Sequence, residues 1–239
     1  MPACDAAPAP RLVQRVDYLL EACRGRRVLH LGCANQPYTA AALAEGSLLH
    51  LRLAVSAAEL WGLDGDGPSL ELLRRHGCTR LVQADLETLP GLPPAAFAGL
   101  GAGGFDVILA GEVIEHLPNP GLFLRGVQAL MGPATTLLLT TVNAYCGFRA
   151  AAYALRGRGG RREPVHPDHV AYYSLATLRR LVESCGLEPR EALFYDLGRE
   201  HRPHLRAPLR WVNDLLVRLA PQLADGLILT CVSRPDPAP

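Results

Sequence analysis

The chain contains no lysine: all 24 of its basic residues are arginine. A Tyr-x-x-x-Lys dyad, which one class of nicotinamide-dependent reductases would require, is thereby excluded. Seven cysteines are scattered in an odd number with no CxxC pair, which argues against a zinc cluster or a disulfide framework and for reduced, mostly buried thiols. Neither sign of charge is in excess. A formal net charge of +1 gives no reason to invoke a nucleic-acid or membrane surface, and no basic stripe with interleaved aromatics stands out. No charge-free apolar run approaches the length of a bilayer span, and "MPACDAAPAP" has neither the basic nor the apolar region of a secretory signal, so membrane insertion is not expected and a cytoplasmic location is. The surplus of arginine, alanine and proline runs through the whole chain and reads as compositional bias.

What the chain has is apolar substance. With 239 residues, 49% of them hydrophobic, it can bury the core of one α/β domain. "RLVQRVDYLLEACRG" (11 to 25) carries helical spacing and ends at a glycine. Beyond it, strands and helices alternate: "RRVLHL", "LWGLD" (60 to 64), "TRLVQAD" (79 to 85), "FDVILAG" (105 to 111) and "ATTLLLTTV" (134 to 142) as strands, with "GPSLELLRRHG" (67 to 77) and "PGLFLRGVQALM" (120 to 131) as helices. Alternation of this kind means a parallel sheet with right-handed crossovers. The last third adds a helix over 174 to 186, strands in "LEPREALFYDL" and "GLILTCVS", and a helix near 208 to 219. We expect residues 1–25 as an N-terminal helical extension and 26–239 as one domain, with the aperiodic stretch 143–170 as a lid over a substrate.

In open parallel sheets, ligands bind at the carboxyl ends of the strands, where turns into the next helix offer backbone N–H groups. Gly32 follows the first domain strand, Asp64 ends the second and Asp85 ends the third. A carboxylate after the second strand can accept hydrogen bonds from two ribose hydroxyls, and one after the third from an adenine amino group. Each aspartate alone reads equally as a turn former or helix cap. Three such positions in order favour a nucleoside ligand. The first turn, "VLHLGCANQPYT" (28 to 39), nevertheless lacks most of the glycines such turns carry.

On these residues the chain resembles class I S-adenosylmethionine-dependent methyltransferases over about residues 26 to 190. The family's acidic-x-Gly-x-Gly-x-Gly turn stands here as His30, Gly32, Ala34 and Gln36, so a histidine replaces the carboxylate. "LWGLDGD", "VQADLETLP" and "FDVILAGEVIEHLPNPGLFL" match later motifs more fully, and "HPDHVAYYSLATLRRLVESCGLEP" resembles a segment of small-molecule members, including a bacterial group associated with glycan biosynthesis. The resemblance implies a Rossmann-like doubly wound, mostly parallel seven-stranded sheet with helices on both faces. It implies S-adenosylmethionine as cofactor, with His30, Gly32, Cys33, Ala34, Asp64, Gly65, Asp85, Leu86 and Gly111 around it.

"GEVIEHLPNP" gathers Glu112, Glu115 and His116 at the mouth of that site. Such groups can hold a divalent cation or act directly as general base. The ExxEH pattern is similar to one in quinone-biosynthesis and small-RNA O-methyltransferases, where a later histidine completes a metal site; His169 would match it, with His166 as a second candidate. The resemblance thus offers Glu112, Glu115, His116 and His169 as ligands of magnesium, manganese or zinc. His116 or His169 as a base needs no metal, and a purely structural role for the motif is the plainer alternative. The arginines from Arg156 to Arg162 could grip a phosphate or form a solvated loop. Tyr145, Phe148, Tyr153, Tyr172 and Tyr173 could line an acceptor pocket or pack a lid.

The function expected is methyl transfer to a hydroxyl of a small molecule (a sugar, glycan precursor or other secondary metabolite), with Glu112, His116 and His169 facing the acceptor and nucleic acid disfavoured as partner. N-methyl transfer on the same fold is one alternative. A non-catalytic binding or regulatory protein, suggested by the altered first turn, is another.

Overall fold

The computed structural model describes residues 11–91, 104–156, 167–196 and 207–234. In chain order the elements are β1 (Arg11–Val13), α1 (Arg15–Cys23), β2 (Arg27–Leu31), α2 (Thr39–Glu45), α3 (Leu49–Ala54), β3 (Glu59–Asp64), α4 (Gly67–Arg75), β4 (Leu81–Gln83), β5 (Val107–Gly111), α5 (Pro120–Leu130), β6 (Thr136–Val142), α6 (Gly147–Arg156), α7 (Leu175–Ser184), β7 (Leu187–Tyr195), α8 (Ala207–Leu219) and β8 (Gly226–Ser233). The strands form one sheet in the order β1-β7-β8-β6-β5-β2-β3-β4. Every pairing is parallel except those of β8, which runs antiparallel to both β6 and β7.

The central strands read as continuous apolar runs because both of their faces are covered. On one face Leu29, Leu31, Leu63, Ile108, Ala110, Leu137 and Leu139 meet Phe123, Leu124 and Val127 of α5 and Leu178 and Val182 of α7. On the other, Val28, Val107, Leu109 and Leu138 meet Leu19 and Cys23 of α1 and Leu53 of α3. Helix boundaries follow local chemistry. Asp66 caps α4 by accepting the Ser69 N–H, and Ser174 and Thr177 form a reciprocal capping box at the start of α7.

The strand count is eight, and the seven expected are joined by β1. Arg11–Val13 was assigned to the leading helix, but three residues carry no readable period, and they pair in parallel with the otherwise open edge of β7. Residues 11–23, set apart by sequence as a lead-in, thus supply both an edge strand and a core helix. Within the stretch expected to be irregular, Gly147–Arg156 is helical. α2 and α3, too short to carry a helical period in the sequence, occupy the crossover between β2 and β3.

Candidate active site

The carboxyl ends of β2, β3 and β5 meet around Gly32. Its φ is +66°, and a Cβ there would lie 2.4 Å from Cγ2 of Val113, so the turn after β2 touches the turn after β5 with no room for a methyl group. The Gly32 N–H donates to Leu63 O at 2.8 Å, fixing the turn to the end of β3. Asp64 then links two turns: Oδ2 accepts the Ala34 N–H at 2.9 Å and Oδ1 accepts the Asp66 N–H at 3.0 Å. Each oxygen keeps a second lone pair for a further donor. Gly65 is exposed beside it.

His30 is placed differently from the expectation. Strand alternation turns its side chain away from the main core and into the protein, where its ring stacks on His50 of α3 with Nδ1 atoms 3.3 Å apart. Burial pushes both imidazoles down, His50 to about 4, so the pair is neutral. Cys33 is also buried, among α2 and α4, and burial pushes its thiol up. Of the first turn, Gly32 and the backbone at Ala34 remain at the sheet edge. Asp85 is exposed; its Oδ1 accepts the Glu87 N–H at 2.8 Å and its carbonyl accepts the Thr88 hydroxyl, the hydrogen bonding of a cap on the 3-10 turn Leu86–Gly91. Leu86 packs against the main core.

Gly111 ends β5 with the Arg15 guanidinium close by, 3.5 Å from where a Cβ would stand. Glu112 follows at φ 58°, the one non-glycine residue with positive φ among the described residues. Such a conformation is held by its surroundings. The Glu112 N–H donates to Thr140 O, and its carboxylate accepts the Tyr195 hydroxyl. Tyr195 reaches across from the end of β7, over Gly226 of β8, with Arg15 5.8 Å from its ring centre. Burial pushes the Tyr195 phenol up, so it stays a donor. This assembly was not legible in the sequence, because its partners lie 83 residues apart and no local motif joins them.

The 3-10 turn Ile114–His116 carries the other half of the site. Glu115 is fully buried; Oε2 accepts the Thr141 hydroxyl at 2.9 Å, while Oε1 has no hydrogen-bond partner among the described residues. Burial foremost, then the Glu112 charge, pushes its carboxyl up to about 8. Its carbonyl accepts the Val170 and Ala171 N–H groups, which docks the chain carrying His169. The His116 and His169 rings meet edge to face at 4.6 Å. Since Asp168 O can only accept, His116 Nδ1 at 3.1 Å donates, and Nε2 is the basic nitrogen. His169 Nδ1 lies 3.3 Å from the Tyr172 hydroxyl. One ligand atom from each of Glu115, His116 and His169 can be chosen so that all lie within 4.8 Å of one another. Glu112 is outside that group, its carboxylate turned to Tyr195.

His166 and the arginines at 158, 161 and 162 lie outside the described residues. The five aromatics do not form one lining: Tyr145 and Tyr153 are exposed, Tyr173 belongs to the main core, Phe148 is half-buried on α6, and Tyr172 sits between His169 and the Arg149 guanidinium. Arg149 fastens α6 to the sheet. It pairs with Asp225 at 2.6 Å and donates to the carbonyls of Asn143 and Asp225.

A family model for a methyltransferase domain matches residues 7–192. The chain is similar to the ubiquinone biosynthesis O-methyltransferase of Bordetella avium, 28% identical over 134 residues, 56% of this chain and 50% of that one. The protein of the same name from Bordetella pertussis is 30% identical over 119 residues, 50% and 44% of the two chains. The chain thus spans about half the length of these curated relatives. Among solved structures, a SAM-dependent methyltransferase from Archaeoglobus fulgidus shares the fold with a TM-score of 0.54 and 17% identity, over 91% of this chain and 90% of that one.

Proposed function

The chain belongs to the class I S-adenosylmethionine-dependent methyltransferases, and from that premise we propose that it moves a methyl group to a hydroxyl of a small molecule: a sugar, a glycan precursor or another secondary metabolite. Relatives named O-methyltransferases support oxygen over nitrogen as acceptor atom. The observation that carries this reading is Asp64, whose two oxygens each hold one backbone N–H of a strand-end turn and each retain capacity for a hydroxyl.

The residues present fit the donor. Gly32 keeps the first turn tight, Ala34 and Gly111 border the methionine end, Asp64 and Gly65 take the ribose, and Asp85 and Leu86 flank the adenine. When bound, S-adenosylmethionine supplies a methyl group on a positively charged sulfonium. The protein then has to align an oxygen with that methyl and remove its proton. His116 is set for the second task, because the Asp168 carbonyl fixes Nε2 as the basic nitrogen; His169 stands against it, and Glu112 and Glu115 bound the acceptor side. The described residues 143–156 and 167–170, with α6 clamped by Arg149, lie over the acceptor side as a lid on the catalytic domain.

A second reading rests on Glu115 Oε1, a buried carboxylate oxygen without a partner among the described residues. Together with His116 and His169 it suits a divalent cation (magnesium, manganese or zinc), which would polarise the acceptor hydroxyl. Glu112 then stays with Tyr195. The two readings separate by experiment: activity abolished by a chelator, restored by manganese and lost in Glu115→Gln supports the cation, whereas chelator-insensitive activity lost in His116→Asn supports the imidazole alone.

The test of the donor site is titration calorimetry with S-adenosylmethionine and S-adenosylhomocysteine on the intact protein and on Asp64→Ala. Saturable binding lost in the variant is the expected result. Absence of binding to the intact protein would overturn the reading in favour of a non-catalytic member of the fold.

A further inference from the structure

S-adenosylmethionine ends in an amino acid, so a site that takes it receives an ammonium group as well as a nucleoside. An ammonium leaves water at low cost only where an acid or several carbonyls meet it. That end of the donor belongs where the turns after β2 and β5 touch: the two strands run parallel with Leu31 opposite Ala110, which sets Gly32 beside Gly111. The position two residues before Gly32 supplies no acid. It is His30, 3% exposed, with its ring stacked on His50 and its Nδ1 committed to that pair.

Most acids near the carboxyl ends of the described strands are committed elsewhere. Asp64 holds the turns after β2 and β3, Asp66 caps α4, Asp196 pairs with Asn213, Asp225 with Arg149, and Glu115 is fully buried on Thr141. Asp85 follows β4, the strand at the far edge of the sheet. Glu112 is left, and its backbone conformation sets its direction. Leu109 faces α1 and Ala110 faces α5, so strand alternation would turn a residue after Gly111 toward α5. At φ 58° Glu112 departs from that path. Its carboxylate meets the hydroxyl of Tyr195, whose ring packs with Leu193, Ile228 and, from α1, Tyr18. The acid is thus carried to the face of the sheet on which His30 stands. Arg15 lies on the same face, 5.8 Å from the Tyr195 ring centre, so the neighbourhood carries a charge of each sign, as an amino acid does. A non-glycine residue held at positive φ costs free energy, and such strain gathers at binding sites.

We propose that Glu112, held by Tyr195, receives the ammonium group of the donor's methionine moiety, an assignment that rests on the donor reading above and supplies the acid the first turn lacks. Glu112 is half-buried; Oε1 accepts the Tyr195 hydroxyl, and Oε2 serves the ligand. Tyr195 is then a positioning residue. The backbone of Glu112 still bounds the acceptor side while its carboxylate turns away, which accounts for its place outside the group of Glu115, His116 and His169.

Titration calorimetry with S-adenosylhomocysteine and with the analogue that lacks only its amino group tests this on the whole chain. The intact protein should bind S-adenosylhomocysteine about tenfold or more tighter than the analogue. Glu112→Gln should lose about that factor for S-adenosylhomocysteine and nothing for the analogue. If thermal unfolding shows that the glutamine variant does not fold, Glu112→Asn, a residue type at ease at positive φ, takes its place. Equal affinity of the intact protein for the two ligands, unchanged affinity in the variant, or the same loss for both ligands would each overturn the proposal. Binding of neither ligand by the intact protein is a different result: it removes the donor reading, and this assignment with it.

Discussion

At the scale of single residues, the site is built from groups whose surroundings leave them little choice. Gly32 combines a left-handed φ with a Cβ position already filled by Val113. Gly32→Ala therefore forces both backbone strain and a displaced turn, a loss of about 1–3 kcal/mol; chemical denaturation should show it, and calorimetry should show donor affinity falling with it. Glu115 makes a pH prediction. Its carboxyl, near 4.5 when unburied, titrates at about 8 in the folded chain. The native state thus binds the extra proton between those values, and stability falls as pH rises through that window before levelling above it. Melting temperatures measured from pH 5 to 9 should fall less steeply in Glu115→Gln, which keeps the neutral shape. The meeting of Glu115, His116 and His169 was legible in the sequence because two share a five-residue motif and the third sits in a matching later segment. His30 is turned inward by strand alternation: the motif position specifies where it stands along the strand, and the His50 that closes over it comes from a helix whose short apolar pattern gives no signal.

Among elements, the long strand and helix periods were legible and the short pieces were not. β2, β3, β5 and β6 announced themselves as apolar runs, and α4, α5 and α7 by helical spacing. β1 is too short to show a period, and α2 and α3 lie in a crossover with only two turns or fewer each. Contacts between elements were equally silent, and the Tyr195 crossing is the plainest case. A Cβ on Gly226 would lie 2.0 Å from the Tyr195 ring, so Gly226→Ala should evict the ring from its path to Glu112 and destabilise by about 1–3 kcal/mol. Tyr195→Phe removes the hydroxyl alone and should cost less stability while still freeing Glu112; comparison of the two by thermal unfolding and methyl-transfer rate separates the packing of the ring from its hydrogen bond. Arg149→Ala removes charged hydrogen bonds to Asp225 and Asn143, each contributing about 1.5–3 kcal/mol. α6 should then be cut by protease faster than the rest of the chain, as limited proteolysis followed by mass spectrometry would reveal.

For the whole molecule, one sheet with both faces covered means that donor binding and global stability are linked. A ligand that binds only the folded state at a hundred times its Kd adds about 2.7 kcal/mol, and a chain of this length gains about 2–4 °C per kcal/mol. Scanning fluorimetry with saturating S-adenosylhomocysteine should therefore raise the melting temperature by about 5–10 °C in the intact protein and leave Asp64→Ala unmoved. The sheet order has a further outcome during synthesis. β8, the last of the described strands in chain order, is the one that lies between β6 and β7. Until residues 226–233 have left the ribosome, β6 has no partner on its outer side and β7 has nothing to join it to the rest of the sheet. From the completion of β7 until β8 emerges, the nascent chain thus carries two open strand edges, so its exposure to edge-to-edge association during synthesis is set by the position of one strand in the sequence.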